Sequence, residues 1–169
     1  MKKAILAFGV CFIIIGLCSC KSAYQPETVS STADNDVKIV YDDQNYEGHL
    51  TVVNENTASL TVSSPENLKG ITFRRADGAD SAELGSLNCK SDGRLFHKGS
   101  LASEVMDIFD TIRTAQREFI GKTSDGNYEF SYGEGEDRLK VKTDGQGIVV
   151  SAENDKITLQ IINQNALTE

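Results

Sequence analysis

From Val37 onward, apolar side chains recur at every second position in short runs. The first runs are Val37–Tyr41, Tyr46–Val52 and Ala58–Val62, and residues rich in Asp, Asn and Glu separate them. Alternation of this kind, broken by turn residues, predicts antiparallel strands with one apolar and one solvated face. Weaker runs follow, and clear ones return near the end of the chain. Together these predict about nine strands, the remaining six being Ile71–Arg74, Leu84–Cys89, Tyr128–Tyr132, Leu139–Lys142, Ile148–Ala152 and Ile157–Ile161.

One segment has helical periodicity instead. Apolar residues recur at steps of three and four, which predicts an amphipathic helix from Leu101 to about Phe119. Ser100 is the expected N-cap, and Gly121 is expected to close the helix. The apolar stripe comprises Leu101, Val105, Ile108, Phe109 and Ile112, and continues to Ala115 and Phe119.

These elements predict an α+β, mostly β fold. We expect a curled antiparallel meander, an unclosed half-barrel of about nine strands, packed on the one amphipathic helix, because a long meander twists and curls. The helix stripe either lines a cavity for an apolar ligand or fills the interior as core. We favour core for most of the stripe, since protein interiors leave few voids.

The N-terminus has a different pattern. Met1-Lys2-Lys3 is basic, and Ala4–Leu17 is almost purely apolar. A run of about 14 residues fits the hydrophobic region of a signal peptide and is short for a spanning helix, which needs about 20. The following Leu17-Cys18-Ser19-Cys20 resembles the bacterial lipobox. The resemblance implies cleavage before Cys20 and a lipid on its sulfur. A conventionally cleaved secreted protein and an uncleaved anchor are the alternatives.

The predicted organisation follows from these segments. Residues 1–19 form a lipoprotein signal peptide, and residues 37–165 the half-barrel domain. Between them, residues 20–36 comprise the lipidated Cys20 and a polar tether without apolar periodicity. The expected location is the cell membrane, lipid-anchored, with the domain outside the cytoplasm.

The net charge of the chain limits the classes of molecule that it can bind. The formal net charge is -8, and loss of Lys2 and Lys3 with the leader gives about -10 (-8 minus 2). A nucleic-acid binder needs a basic stripe, so nucleic acid is excluded. The same acidity disfavours docking on anionic lipid headgroups, so the anchor is expected to carry the membrane affinity.

The four cysteines do not form a disulfide framework. Cys11, Cys18 and Cys20 lie in or directly after the leader, which leaves Cys89 without a partner. Cys89 falls on the apolar alternation of a strand. We therefore expect a small buried hydrophobic residue there.

No catalytic or metal-binding pattern stands out. His49 and His97 have no Cys or Asp at a spacing typical of a transition-metal site. Glu134, Glu136 and Asp137 do not match a calcium loop and are expected in a hairpin turn. There is no Gly-x-Ser-x-Gly elbow and no phosphate-binding loop. The sequence predicts a non-enzymatic protein without cofactor or metal.

The order of the segments resembles a known group of proteins. The segments are Tyr46–Val52, Ala58–Gly70, Ile71–Phe73, Leu101–Phe119 and Asp125–Ile161. They resemble small lipoproteins of Gram-positive gut bacteria, which are similar in outline to the lipoprotein-carrier (LolA-like) half-barrels and to mycobacterial lipid-binding lipoproteins. One departure is that the carriers usually open with a helix lining the cavity, where this chain has a polar tether. A smaller cavity, or none, would follow.

Two functions are therefore expected. The first is an anchored extracytoplasmic lipoprotein that binds a lipid or other apolar ligand in the half-barrel, against the helix stripe. The alternative is a solidly packed interaction or structural lipoprotein that presents a loop or a sheet edge to an envelope protein. The acidic segments Asp77–Glu83 and Glu134–Asp137 motivate the alternative.

Overall fold

The computed structural model describes residues 25–135 and 138–162. The leader and Cys20 lie outside the described residues. No helix in the described part of the chain has the length and hydropathy to cross a membrane.

One antiparallel sheet of eleven strands dominates the molecule. The strands are β1 (Ala33–Tyr41), β2 (Gln44–Asn54), β3 (Thr57–Ser64), β4 (Thr72–Ala76), β5 (Ala79–Leu84), β6 (Leu87–Ser91), β7 (Arg117–Lys122), β8 (Tyr128–Tyr132), β9 (Leu139–Thr143), β10 (Val149–Glu153) and β11 (Ile157–Ile162). The helix α1 (Leu101–Thr114) lies between β6 and β7 in the chain.

The sheet consists of two meanders joined at its centre. Its order is β6-β5-β4-β3-β2-β1-β11-β10-β9-β8-β7, so β6 and β7 are the edges and the sheet is unclosed. The join is the ladder between β1 and β11, which pairs Ile39 with Leu159 and Tyr41 with Ile157. The connection that contains α1 runs from one edge strand to the other.

The helix and the inner face of the sheet share one hydrophobic core. Val105 and Phe109 of α1 are fully buried in the same cluster as Leu60 of β3 and Phe130 of β8. A 14-residue helix is about 21 Å long, whereas a flat sheet of eleven strands would be about 48 Å wide. The sheet therefore curls around the helix.

The predicted class is confirmed at the level of a mostly β, unclosed antiparallel sheet with a helix, but the strand count is wrong. Two of the eleven strands, β5 and β7, were not predicted. Ala79–Leu84 forms β5 and pairs with β4 and β6, although Ala76–Ala82 is small and acidic. The predicted strand Leu84–Cys89 instead crosses the β5–β6 turn at Gly85 and Ser86.

The helix begins where predicted and ends earlier. Ser100 is the N-cap, and its hydroxyl accepts a hydrogen bond from the Ser103 amide. Helix α1 ends at Thr114 because Ala115 is extended, and Phe119 and Gly121 lie in β7. Phe119 is seven residues after Ile112, so it fits the helical stripe, yet it pairs with Phe130 across the β7–β8 ladder. The ring contact, with centroids 5.5 Å apart, stabilises the strand.

The predicted tether is partly ordered structure. Strand β1 begins at Ala33, four residues before the predicted domain start at Val37. Before it, residues 26–32 form a segment that we call the strap, which packs against the domain. The Ser30 amide donates to the carbonyl of Gly147, at 2.8 Å, and Pro26 is buried.

Candidate functional site: an uncovered apolar flank of the sheet

The five residues expected to line a ligand cavity are packed as core. Val105, Ile108, Phe109 and Ile112 are buried, and Leu101 is partly buried against the same cluster. Their neighbours are the inward side chains of the sheet, so they hold α1 in place. The open apolar surface lies elsewhere on the same face of the sheet.

The register of β4, β5 and β6 defines this surface. Ala82 pairs with Phe73 on one side and Cys89 on the other, and Leu84 pairs with Leu87. Directly paired residues of antiparallel strands point to the same face. Phe73 and Ala82 pack against the core, so Leu84, Leu87 and Cys89 continue the core face beyond the helix.

A pocket of about 330 Å³ opens over this flank. Leu87 is 71% exposed and Leu84 is 44% exposed, although both lie on the apolar face. We call this the flank pocket. It is lined by Ile71, Ala82, Glu83, Leu84, Leu87, Asn88 and Cys89.

Cys89 is exposed, which corrects the prediction of a buried residue. Its place on the apolar alternation was predicted correctly. The error arose because β6 is an edge strand that α1 does not cover, so the apolar face reaches solvent there. The thiol is accessible to reagents from the pocket side.

Glu83 and Asn88 also border the flank pocket, but they pair with each other and alternate with Leu84 and Leu87, so their side chains point to the opposite face of the sheet. The Asn88 side-chain amide donates to Glu83 Oε1 at 3.1 Å, and no cation is among the described lining residues. A carboxylate or phosphate ligand would have no charge partner there. The lining suits an uncharged apolar group such as an acyl chain.

A buried ion cluster fixes the helix on the neighbouring strands. Arg75 Nε donates to Asp80 Oδ1 at 3.1 Å, and Arg75 Nη1 lies 3.4 Å from Asp110 Oδ2 of α1. The other oxygen of Asp80 accepts from the Leu95 and Phe96 amides, at 3.0 and 3.3 Å. The cluster thus holds the loop before α1 and the helix itself over β4 and β5, and β6 remains bare.

The strap covers the other side of the molecule, at the C-terminal end of α1. There Arg113 donates to the Ser31 carbonyl and Arg117 to the Glu27 carbonyl, at 3.1 and 2.9 Å. A groove of about 370 Å³ separates the strap from Arg113, Arg117 and Tyr132. Burial raises the pKa of Tyr132, and nearby Arg117 partly opposes this rise.

The two histidines lie apart from the flank pocket. His49 is on the outer face of β2, between Asp36 and Asp34, with nitrogen–oxygen distances of 2.9 and 3.1 Å. His97 lies in the loop before α1 and contacts the Lys98 carbonyl. Among the residues that the structure describes, no three His, Cys, Asp or Glu converge on a possible metal position.

Comparison with solved structures finds a protein with a similar fold. The chain is similar to an uncharacterized conserved protein from Thermus thermophilus, with a TM-score of 0.50 and 8% identity, over 76% of this chain and 74% of that one. At that identity the likeness concerns the fold alone. No protein-family model matches the chain, and no curated protein matches it.

The sequence contains one signal for the flank pocket that was missed. Leu84 and Leu87 flank Gly85-Ser86, which is a two-residue hairpin turn. With that hairpin recognised, both leucines and Cys89 fall on one face of an edge pair. A single 14-residue helix is too short to cover that face in addition to the central strands.

Proposed function

We propose that this protein is a lipid-anchored extracytoplasmic lipoprotein whose half-barrel binds an acyl chain or a similar apolar group in the flank pocket. The observation that carries the proposal is the exposed apolar lining of Leu84, Leu87 and Cys89 on the core face. An apolar face left in solvent costs free energy, about 25 cal/mol per Å², unless a ligand or partner covers it.

The size and chemistry of the pocket support a small apolar ligand. Its volume of about 330 Å³ lies at the lower end of the range of ligand pockets. On the core face its lining consists of a thiol and aliphatic side chains, whereas the paired Glu83 and Asn88 point to the opposite face. The ligand would therefore enter the pocket with a hydrocarbon part and leave its headgroup in water.

The proposal is tested by lipid photo-crosslinking in cells. Cells that express the protein are fed a diazirine-bearing fatty acid, irradiated, and the crosslinked peptides are mapped by mass spectrometry. We expect crosslinks in the segment Ala76–Lys90. Leu87→Glu should reduce them about tenfold or more, because an unpaired carboxylate would be desolvated beside the chain.

The matched control is Ile120→Glu. Ile120 is 52% exposed on β7, the other edge strand, and does not line the flank pocket. This variant should keep wild-type crosslinking. Equal labelling of Leu87→Glu and wild type, or crosslinks confined to the acylated N-terminus, would contradict pocket binding.

The anchor is tested separately. Cys20→Ala should abolish fatty-acid incorporation, because the lipobox resemblance makes the Cys20 sulfur the acceptor. Incorporation that persists in this variant would show that the lipobox interpretation is wrong. The measurement is independent of the flank pocket.

One observation favours the alternative, an interaction lipoprotein. Strand β6 is a sheet edge with the exposed Leu87, and an edge can pair with a strand of an envelope protein. The acidic segment Asp77–Glu83 favours it less than expected, because Asp80 is buried on Arg75. A protein crosslink to β6 that Leu87→Glu removes, without lipid crosslinks, would support this function.

A further inference from the structure

The strap and the proposed anchor together limit how far the domain can lie from the membrane. We infer that the domain is held against the bilayer that contains its anchor, with the strap and the C-terminal end of α1 facing the lipid surface. The inference rests on the proposed acylation of Cys20. It adds an orientation and a partner surface that the proposed function does not include.

The first step is the length of the linker, the chain between Cys20 and the strap. The strap is held from Pro26, so about five residues separate Cys20 from the docked chain. The six residue steps from Cys20 to Pro26 span at most about 22 Å at 3.6 Å per step. A tether that ran undocked from Cys20 to Val37 would span about 60 Å by the same rule. The docked strap therefore removes most of the reach that the sequence predicts.

The second step is how firmly the strap is held. Three backbone groups of the strap are bonded to the domain: the Ser30 amide to Gly147, the Ser31 carbonyl to Arg113 and the Glu27 carbonyl to Arg117. Charged donors make the stronger hydrogen bonds. Gly147 has a φ of +83°, and a Cβ there would lie 2.1 Å from the Thr28 carbonyl oxygen. The close approach requires glycine and ties the strap to the β9–β10 turn.

The third step is which surface faces the lipid. The point where the linker joins the domain must lie within the linker's reach of the bilayer. That point is beside Gly147, Arg113 and Arg117. Edge strand β6, with the flank pocket, is seven strand positions away from β10 in the sheet. The domain is acidic overall, so the linker, and not charge attraction, imposes the contact.

The experiment measures energy transfer from the domain to the bilayer. The mature lipoprotein is reconstituted into phosphatidylcholine vesicles that contain a headgroup-labelled acceptor lipid. A donor dye is attached at Gln146→Cys in a Cys89→Ser background, beside the strap, or at the native Cys89. We expect clearly higher transfer from position 146 than from position 89.

A longer linker is the decisive variant. Insertion of ten Gly and Ser residues between Ser22 and Ala23 should reduce transfer from position 146 by at least half and remove the difference between the two dyes. Equal transfer from both positions with the native linker, or no change on insertion, would overturn the inference.

The outcome also separates this inference from the proposed anchor. Fatty-acid labelling and vesicle flotation are measured on the same samples. Protein that neither carries lipid nor floats overturns both proposals. Protein that is acylated and floats, but shows equal transfer, overturns the orientation alone.

Discussion

At the scale of single residues, the buried carboxylate of Asp80 connects β4, β5 and the loop before α1. One of its oxygens binds Arg75 and the other accepts two loop amides, with its side chain almost fully buried. A short acidic segment typical of a surface loop thus contains a structural carboxylate. Sequence periodicity gives no indication of it, because the partner Arg75 lies on the neighbouring strand.

We predict that Asp80→Ala lowers the free energy of unfolding by about 3–5 kcal/mol, because it leaves the Arg75 charge buried beside fewer partners. Urea denaturation measures the change. The control is Glu66→Ala, which removes the exposed pair with Lys69 and should cost less than about 1 kcal/mol. Similar losses in both variants would show that the buried cluster contributes no more than a surface ion pair.

His49 provides a pH-dependent contact on the outer face. Its hydrogen bonds to Asp36 and then Asp34 raise its pKa above 6.5. The folded state therefore binds the proton more tightly than the unfolded state, and the added stability is complete below pH 6.5. It is lost as the pH rises through the folded pKa. The effect is small because the imidazole is half exposed.

We predict that Asp36→Asn lowers the pKa of His49, measured by NMR titration of its ring protons. The variant should also weaken the fall in stability that occurs as the pH rises above 6.5 through the folded pKa of His49. The reference is His49→Gln, in which the His49 contribution to that pH dependence should be absent. An unchanged His49 pKa in Asp36→Asn would show that the carboxylate does not hold the ring.

At the scale of elements, the strap and β7 differ most from expectation. Both segments have sequences that allow other structures: the strap is polar and aperiodic, and β7 continues the helical stripe through Phe119. Contacts with distant residues decide both cases. Arg113 and Arg117 bind the strap, and Phe130 pairs with Phe119. A pattern read along the chain does not contain these partners.

Two glycines of the β9–β10 turn provide a matched pair of variants that test how the strap is held. We predict that Gly147→Ala releases the strap and costs at least about 1 kcal/mol, because the new Cβ clashes with Thr28 and the backbone is left-handed. Hydrogen exchange of the Ser30 amide should accelerate strongly. Gly145→Ala has open space around its Cβ and should leave this exchange unchanged. Protection of Ser30 in both variants would show that the strap is held without Gly147.

At the scale of the whole molecule, the alternation of apolar and polar residues predicted most of the strands. The apolar stripe of the helix predicted that α1 packs against the core. Strands β1 to β3, β9 and β11 alternate cleanly because each has a buried inner face. The alternation is broken in β8, where Ser131 is also buried, and in β10, where a register shift after Val149 buries Val149 and leaves Ile148 exposed. Strand β5 was missed since its inward residues include Asp80, which is buried by an ion pair. The flank pocket was missed for a related reason. Periodicity identifies which face is apolar, and what covers that face depends on the arrangement of the whole sheet.

The central pairing of β1 with β11 also bears on export. The strand nearest the N-terminus gains one of its two partners from residues 157–162, more than a hundred positions later. Contacts of such separation form late and slowly. A chain that leaves the cytoplasm as proposed would cross the membrane before its two meanders can join. It would reach the outside as an unjoined chain and complete its sheet there.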